Sequence, residues 1–235
     1  EVALATRTRL SLSTLSALLV AAPVIAAIPQ MAPDQLAQIR AHESARAQAS
    51  AASLLARRAD FGLDADATLN TAKVQTDAFG QTHTHIQQLY RGVKVWGGQA
   101  VTHMDRNGAL LPVTSALKAG ISLSTIPSIH SDEALALAHQ DLAPKGDYTT
   151  KPTAELVVFP VMTQAHVRAG EDATAYDEQV VRYALAFHVH TDLQNGTAET
   201  KQTDYMIDAH TGAILKKWSS LETTAAVGTG HSQYS

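Results

Sequence analysis

Eleven histidines and no cysteine make imidazole the group through which this chain would bind a metal or move protons. Four of the eleven are paired by spacing. His83 with His85, and His188 with His190, lie two residues apart, and in an extended strand such pairs point to one face. Two such pairs on neighbouring strands would form a zinc or copper site. The pattern described below puts them in different units, and neither has a nearby cysteine or an obvious carboxylate ligand, so partly exposed strand histidines are expected and no metal site is assigned. His42-Glu43 opens a helical zinc motif, but Arg46 stands where the second histidine is needed. Without cysteine, thiol catalysis, disulfide frameworks and zinc ribbons are excluded. No serine lies in a Gly-x-Ser-x-Gly elbow, and Gly228-Thr229-Gly230 lacks the Lys-Ser/Thr of a phosphate loop. No local motif positions two titratable groups for catalysis, so no catalytic residue is assigned. Trp96 and Trp218 are read as packing residues rather than ligand platforms.

The 235 residues are 45% hydrophobic and 17% charged, which suits a globular chain of one large or two small domains. Aromatics make up only 5%, so the core must rest on Val, Leu, Ile and Ala. A net charge of -4 with no basic stripe argues against nucleic acid as a partner. Arg7 and Arg9 precede an apolar run, Leu10 to Ala22, which breaks at Pro23 and gives way to Val24-Ile25-Ala26-Ala27. A positive start, a short apolar run and a small-residue exit describe a secretory signal over residues 1–27. The run is shorter than the ~20 apolar residues that span a bilayer, so no stable membrane anchor is expected, and the location is secreted or periplasmic.

The elements that would position these residues follow from periodicity. Residues 28–60 hold an Ala-rich helix that begins at Pro33-Asp34, and its thin stripe reads as a solvated or loosely docked linker. From Phe61 the period becomes two. Thr84, Ile86, Gln88 and Tyr90 share one face of a strand, while His83, His85, Gln87 and Leu89 share the other. Arg91-Gly92 turns the chain, Val93 to Trp96 resumes the strand, Gly97-Gly98 interrupts it, and Ala100 to Met104 continues it. Asp105-Arg106-Asn107-Gly108 is a hairpin signal before a strand from Ala109 to Val113. Residues 119–129 suit a connector. Ser131 is read as the N-cap of a helix ended by Pro144 and Gly146. Strands then cover Glu155 to Phe159, Gln179 to His190, Lys201 to Ile207 and Ala213 to Trp218, with turns at Asn195-Gly196 and Asp208 to Gly212. Val181, Tyr183, Leu185, Phe187 and Val189 alternate cleanly, which argues for one buried face. The fold class is α+β, in two units: an antiparallel meander over 61–118 and a helix-on-sheet unit over 130–219.

The stretch from His83 to Gly98, with His103-Met104-Asp105-Arg106-Asn107-Gly108 after it, resembles the fungalysin/thermolysin propeptide domain. The residues that carry the likeness are His83, Gln88, Tyr90, Gly92, Val95, Gly97, Gly98, His103, Asp105 and Gly108. His85 stands where that family favours Arg, and Lys94 where it favours Pro. Tyr205 to Leu215 is similar to the end of a PepSY domain through Asp208, Thr211 and Gly212, and the resemblance implies a cystatin-like helix on an antiparallel sheet. Asp208 and Thr211 can hydrogen-bond that turn's backbone while Gly212 takes positive φ. The tail from Val227 to Ser235 is similar to the start of mature thermolysin-like enzymes, so residues 220–235 read as a cleavable linker and mature start.

The resemblance implies the propeptide of a secreted thermolysin-like zinc metalloendopeptidase. Such a propeptide acts as an intramolecular chaperone and then as an inhibitor, until it is cleaved. Its partner is the cognate catalytic domain, which would hold the zinc and the calcium; no cofactor falls to this chain. The inhibitory and cleavage segment implied here is Leu221, Glu222, Thr223, Thr224, Ala225, Ala226, Val227 and Gly228. A stand-alone PepSY-type binding module or inhibitor in trans is the alternative.

Overall fold

A computed structural model describes residues 32–166, 176–193 and 201–220; the signal over residues 1–27, the Asn195-Gly196 turn and the segment Leu221 to Gly228 lie outside them. Helix α1 spans Pro33–Ala56, with Pro33 in the first turn, where its missing N–H leaves no bond unmade. After a short 3-10 turn, Arg58–Phe61, strands β1 (Ala67–Thr76), β2 (Thr82–Tyr90) and β3 (Val93–Met104) form an antiparallel meander. The sequence reading had not delimited β1. It is an edge strand in which only Ala67 and Leu69 are buried, so it carries little alternation to detect. The helix is not a solvated linker. Ala47, Ser50 and Leu54 are buried, and Leu54 joins Leu63, Ala67, Leu69, Ile86 and Ala100 in one core.

Helix α2 (Ser131–Leu142) packs on a second set of strands: β5 (Thr150–His166), β6 (Tyr176–Leu193), β7 (Lys201–Asp208) and β8 (Ile214–Ser219). Its N-cap is His130 rather than Ser131, and the Glu133 carboxylate reaches back to accept from the His130 backbone N–H at 2.7 Å. Ala134, Ala138 and Leu142 meet Leu185, Phe187, Val189, Tyr205 and Ile207 beneath the helix. The clean alternation in β6 does not mean one buried face. Ala184 and Ala186, on the other face, are buried as well.

The two helix-covered halves share a single sheet of order β1-β2-β3-β5-β6-β7-β8, with β4 (Thr114–Ser115) beside β3. Residues 109–113 form no strand; Leu110 makes one isolated bridge to Met104. The halves join through a parallel contact two residues long, Lys94 opposite Val157 and Val95 opposite Val158. The connector over 119–129 is stitched down across this seam. Ile121 is buried with Tyr90, Val95 and Val158, and Ser128 and Ile129 both donate to the Ala209 carbonyl, at 2.8 and 3.1 Å. Because Val158 lies opposite Leu185 on the α2 face, and Val95 packs with Tyr90 on the α1 face, both helices cover one side of the sheet. Among the described residues, no helix covers the other side. There Trp96 of β3 and Trp218 of β8 approach to 6.1 Å between ring centroids, covering Val157, Phe159, Ala186 and Met206. Four strand spacings separate β3 from β8, so this side must curl inward for the two rings to meet.

Candidate functional site

The motif residues build one object, a bulged hairpin. Arg91 and Gly92 take φ of 46° and 82°, the pairing that a two-residue turn between antiparallel strands requires. Gln87 lies opposite Gln99 and Leu89 opposite Lys94, so four residues of β3, Val95 to Gly98, answer a single residue of β2. Such a bulge leaves backbone groups unpaired; Gln87 supplies partners for two of them, while Gln88 clasps the strap that runs beside it. On the helix-free side Gln87 Nε2 donates to the carbonyls of Val95 at 2.9 Å and Gly98 at 3.0 Å. On the helix side the buried Gln88 donates to Lys118 O and accepts from Lys118 N, both at 2.8 Å, so its amide imitates a strand neighbour. The two glycines serve different needs. Gly97 takes φ of 67°, whereas a Cβ on Gly98 would sit 2.8 Å from Gln88 Oε1 and 2.9 Å from Val95 Cβ.

At the far end of the hairpin, Asp105 Oδ1 accepts from the backbone N–H of Asn107 and Ala109, both at 2.8 Å, and Gly108 has φ of 89°. The Ala109 N–H, ahead of an opposing burial effect, holds the Asp105 carboxyl below its ordinary value. Arg46 of α1 reaches the Asp105 and Met104 carbonyls and ties the helix to this end. His83 and His103, paired across β2 and β3, face each other Nδ1 to Nδ1 at 2.8 Å, and His83 Nε2 lies 3.2 Å from Asp77.

The turn after β7 follows the same chemistry. Asp208 Oδ1 accepts from His210 N and Thr211 N, both at 2.9 Å, and the Thr211 hydroxyl accepts from Ala213 N at 3.3 Å. Gly212 has φ of 73°, and a Cβ there would meet Leu137 of α2 at 2.9 Å. Burial, the largest single influence, raises the Asp208 pKa, but the backbone N–H groups of His210 and Thr211, the Thr211 hydroxyl and the nearby His210 together outweigh it and leave a net lowering.

The two histidine pairs do not converge. Strands β3 and β5 lie between β2 and β6, and no group of three or more metal-ligating side chains is arranged to hold an ion among the described residues. Each pair nevertheless has the carboxylate that the sequence reading missed. Asp204 of β7 takes His188 Nε2 at 2.8 Å and His190 Nδ1 at 2.9 Å on one oxygen. Burial raises the Asp204 pKa, and its hydrogen bonds to His190, Ser220 and His188 outweigh that effect to lower it. A tight turn centred on Asn195-Gly196 would have placed Lys201 opposite His190; the register places Asp204 there, which is why the partner was not found. Gln87 was also passed over as a site residue, although its neighbour Gln88 was chosen. Its signal was the doubled glutamine itself, one amide for each face of the strand. His188 lies between Trp96, at 4.5 Å, and Trp218, stacked at 6.0 Å, so both tryptophans pack as expected.

Residues 67–117 match the Fungalysin/Thermolysin Propeptide Motif. The chain is 26% identical over 172 residues to bacillolysin of Bacillus subtilis (strain 168), covering 72% of this chain and 30% of that protein. It is 30% identical over 159 residues to thermolysin of Alicyclobacillus acidocaldarius subsp. acidocaldarius, covering 63% of this chain and 25% of that protein. The Bacillus megaterium YpeB C-terminal domain overlaps it loosely, at 13% identity and a TM-score of 0.33, over 74% of this chain and 63% of that one. The chain thus spans at most 30% of the length of these two proteases, and the part of it that a family describes is a propeptide motif rather than a catalytic one. By that motif and these relatives, the chain is similar to the propeptide region of thermolysin-like proteases.

Proposed function

We propose that the chain is exported through the signal over residues 1–27 and serves as the propeptide of a secreted thermolysin-like zinc metalloendopeptidase. It first templates the folding of the catalytic domain and then blocks its cleft until proteolysis removes it. Zinc and calcium belong to that catalytic domain, which is the partner, and no cofactor falls to this chain. The half built on α2 and β5–β8 is assigned as a cystatin-like PepSY unit, through the Asp208, Thr211 and Gly212 turn. Leu221 to Gly228 form the inhibitory segment, with maturation cleavage near Ala225-Ala226-Val227.

The observation that carries this reading is that the matched motif, residues 67–117, coincides with the bulged hairpin, its glutamine clasp and the strap that follows it. A rigid bulged hairpin joined to a second helix-covered half gives a preformed platform, which is what a folding template requires. The direct test mixes the full chain with its cognate mature protease and follows peptide hydrolysis. Nanomolar inhibition that weakens when Leu221 to Gly230 are deleted is the expected result. No inhibition at micromolar concentration would leave the propeptide motif in place but move the function to a stand-alone binding module.

A further inference from the structure

We propose that the His83–His103 pair is an acid-sensitive latch on the outer end of the β2–β3 hairpin, so that mild acid loosens the α1 half of the sheet before the α2 half. The two rings are edge-on, with centroids 5.0 Å apart, and their Nδ1 atoms are separated by 2.8 Å. At that distance one nitrogen donates and the other accepts, so at least one ring must be neutral. The carboxylate of Asp77 beside His83 Nε2 decides which. A first proton on His83 is tolerated, because a cationic His83 donates to Asp77 through Nε2 and to His103 through Nδ1. A second proton, on His103, removes the acceptor and sets two cations 2.8 Å apart. The latch then opens.

The surroundings offer the second proton no compensation. Lys73 of β1 stands opposite His85, and His85 shares the His83 face of β2. Arg106 lies against the Asp77 turn, beside Gly80. Asp105 of the β3 turn is engaged by Asn107 and Ala109. Across the sheet on α1, Glu43 accepts from the Thr76 hydroxyl at 2.9 Å, and Arg46 is held on backbone carbonyls of the same turn. Burial first, then the neighbouring His83 and His85, lowers the His103 pKa below 6.5. A histidine whose folded value is depressed favours the neutral form in the fold. Its stabilisation is therefore complete above the unfolded value near 6.5, and is lost as pH falls from there through the lowered folded value. Because Arg46 anchors α1 to the strand end that the latch fastens, opening it also slackens the helix.

The test uses the full chain. Thermal unfolding is followed by circular dichroism from pH 7.5 to 5, and the imidazole resonances are titrated by NMR. The melting temperature of the wild type should fall by roughly 3 °C across that range, about what one such interaction is worth in a chain of this size. His103→Gln cannot titrate and should flatten the slope. If His103→Gln fails to fold, the wild-type titration decides, and His103 should titrate below 6.5. A His103→Gln variant that keeps the wild-type slope, or a His103 that titrates at or above 6.5, would overturn the latch.

Discussion

Helix α1 has 24 residues and α2 only 12, yet each buries three, and the shorter helix covers the larger apolar core. Under α2 lie Leu185, Phe187, Val189, Tyr205 and Ile207. Under α1 the interface is small and threaded with polar groups: Ser50, Thr82, Thr84, Gln88 and Thr102 are all buried. Among the described residues the hydroxyls of Ser50, Thr84 and Thr102 find no hydrogen-bond partner, which costs on the order of 1–3 kcal/mol for each such group. The halves differ on the opposite side too. Trp96 and Trp218 roof a second apolar layer over β5–β7, whereas beyond β2 the helix-free side carries His83, His85 and Gln87. Length of helix therefore says little about stabilisation; what it lies on decides. The α2 half is the anchor, and the α1 half owes its shape to backbone clasps such as Gln87, Gln88 and Asp105.

The largest effect should come from removing a side chain from each core. Phe187 is buried beneath α2, and Phe187→Ala should cost ~3–5 kcal/mol, enough to unfold that half in a marginally stable chain. Leu54→Ala removes the one large side chain that α1 buries and should cost ~2–3 kcal/mol, at the low end for leucine because the surrounding groups are small. Denaturant unfolding of both variants checks the order. Equal losses would erase the distinction between anchor and clasp.

Next comes the bulge. Gly98→Ala forces a methyl against Gln88 Oε1 and Val95 Cβ, and should cost ~1–3 kcal/mol through displaced packing. At Gly97 the strain is conformational, since φ is 67° with open space around it, and Gly97→Ala should cost ~1–2 kcal/mol. Melting curves of the two variants should rank Gly98→Ala as the worse. The reverse ranking would show that backbone freedom, rather than the close approach of Gln88, is what the glycine pair supplies.

How much of this was legible depended on how far each signal travels along the chain. The β2–β3 hairpin was readable because Ile86, Tyr90 and Val95 alternate with polar residues and Gly92, Gly97 and Gly108 mark its bends. The docking of α1 was not, because its buried face consists of Ala47, Ser50 and Leu54, which no hydrophobic stripe distinguishes from an exposed helix. The seam between the halves was hidden for a related reason: a parallel contact of two residues leaves no pattern of its own. In the candidate site, the turn residues Asp105, Asp208 and Gly212 act within a few residues and could be read directly. Arg46 and Asp204 act on partners 58 and 14 residues away, which depend on how the helix lies and on register, and Asp77 meets His83 only once the turn between β1 and β2 has closed.

The smallest predicted difference concerns two aspartates beside turns, one in each half. Asp66 pairs with Arg91 at 2.8 Å, but both side chains are about half exposed, and the Arg91 backbone N–H bonds the Asp66 carbonyl whatever the side chain. Water screens such a pair, so Asp66→Ala should cost only ~0.2–1 kcal/mol, and less as salt is added. Asp208 instead takes two backbone N–H groups in a half-buried turn pressed against α2, and Asp208→Ala should cost ~1–2 kcal/mol with little dependence on salt. Since the Asp208 pKa is lowered in the fold, its contribution is present above the unfolded value of 3.8 and is lost as pH falls through the folded value. Unfolding of both variants in low and high salt separates the cases. A larger, salt-sensitive loss at Asp66 would mean that the α1 half is held by its surface charges, and the contrast between a packed anchor and a backbone-clasped partner would have to be redrawn.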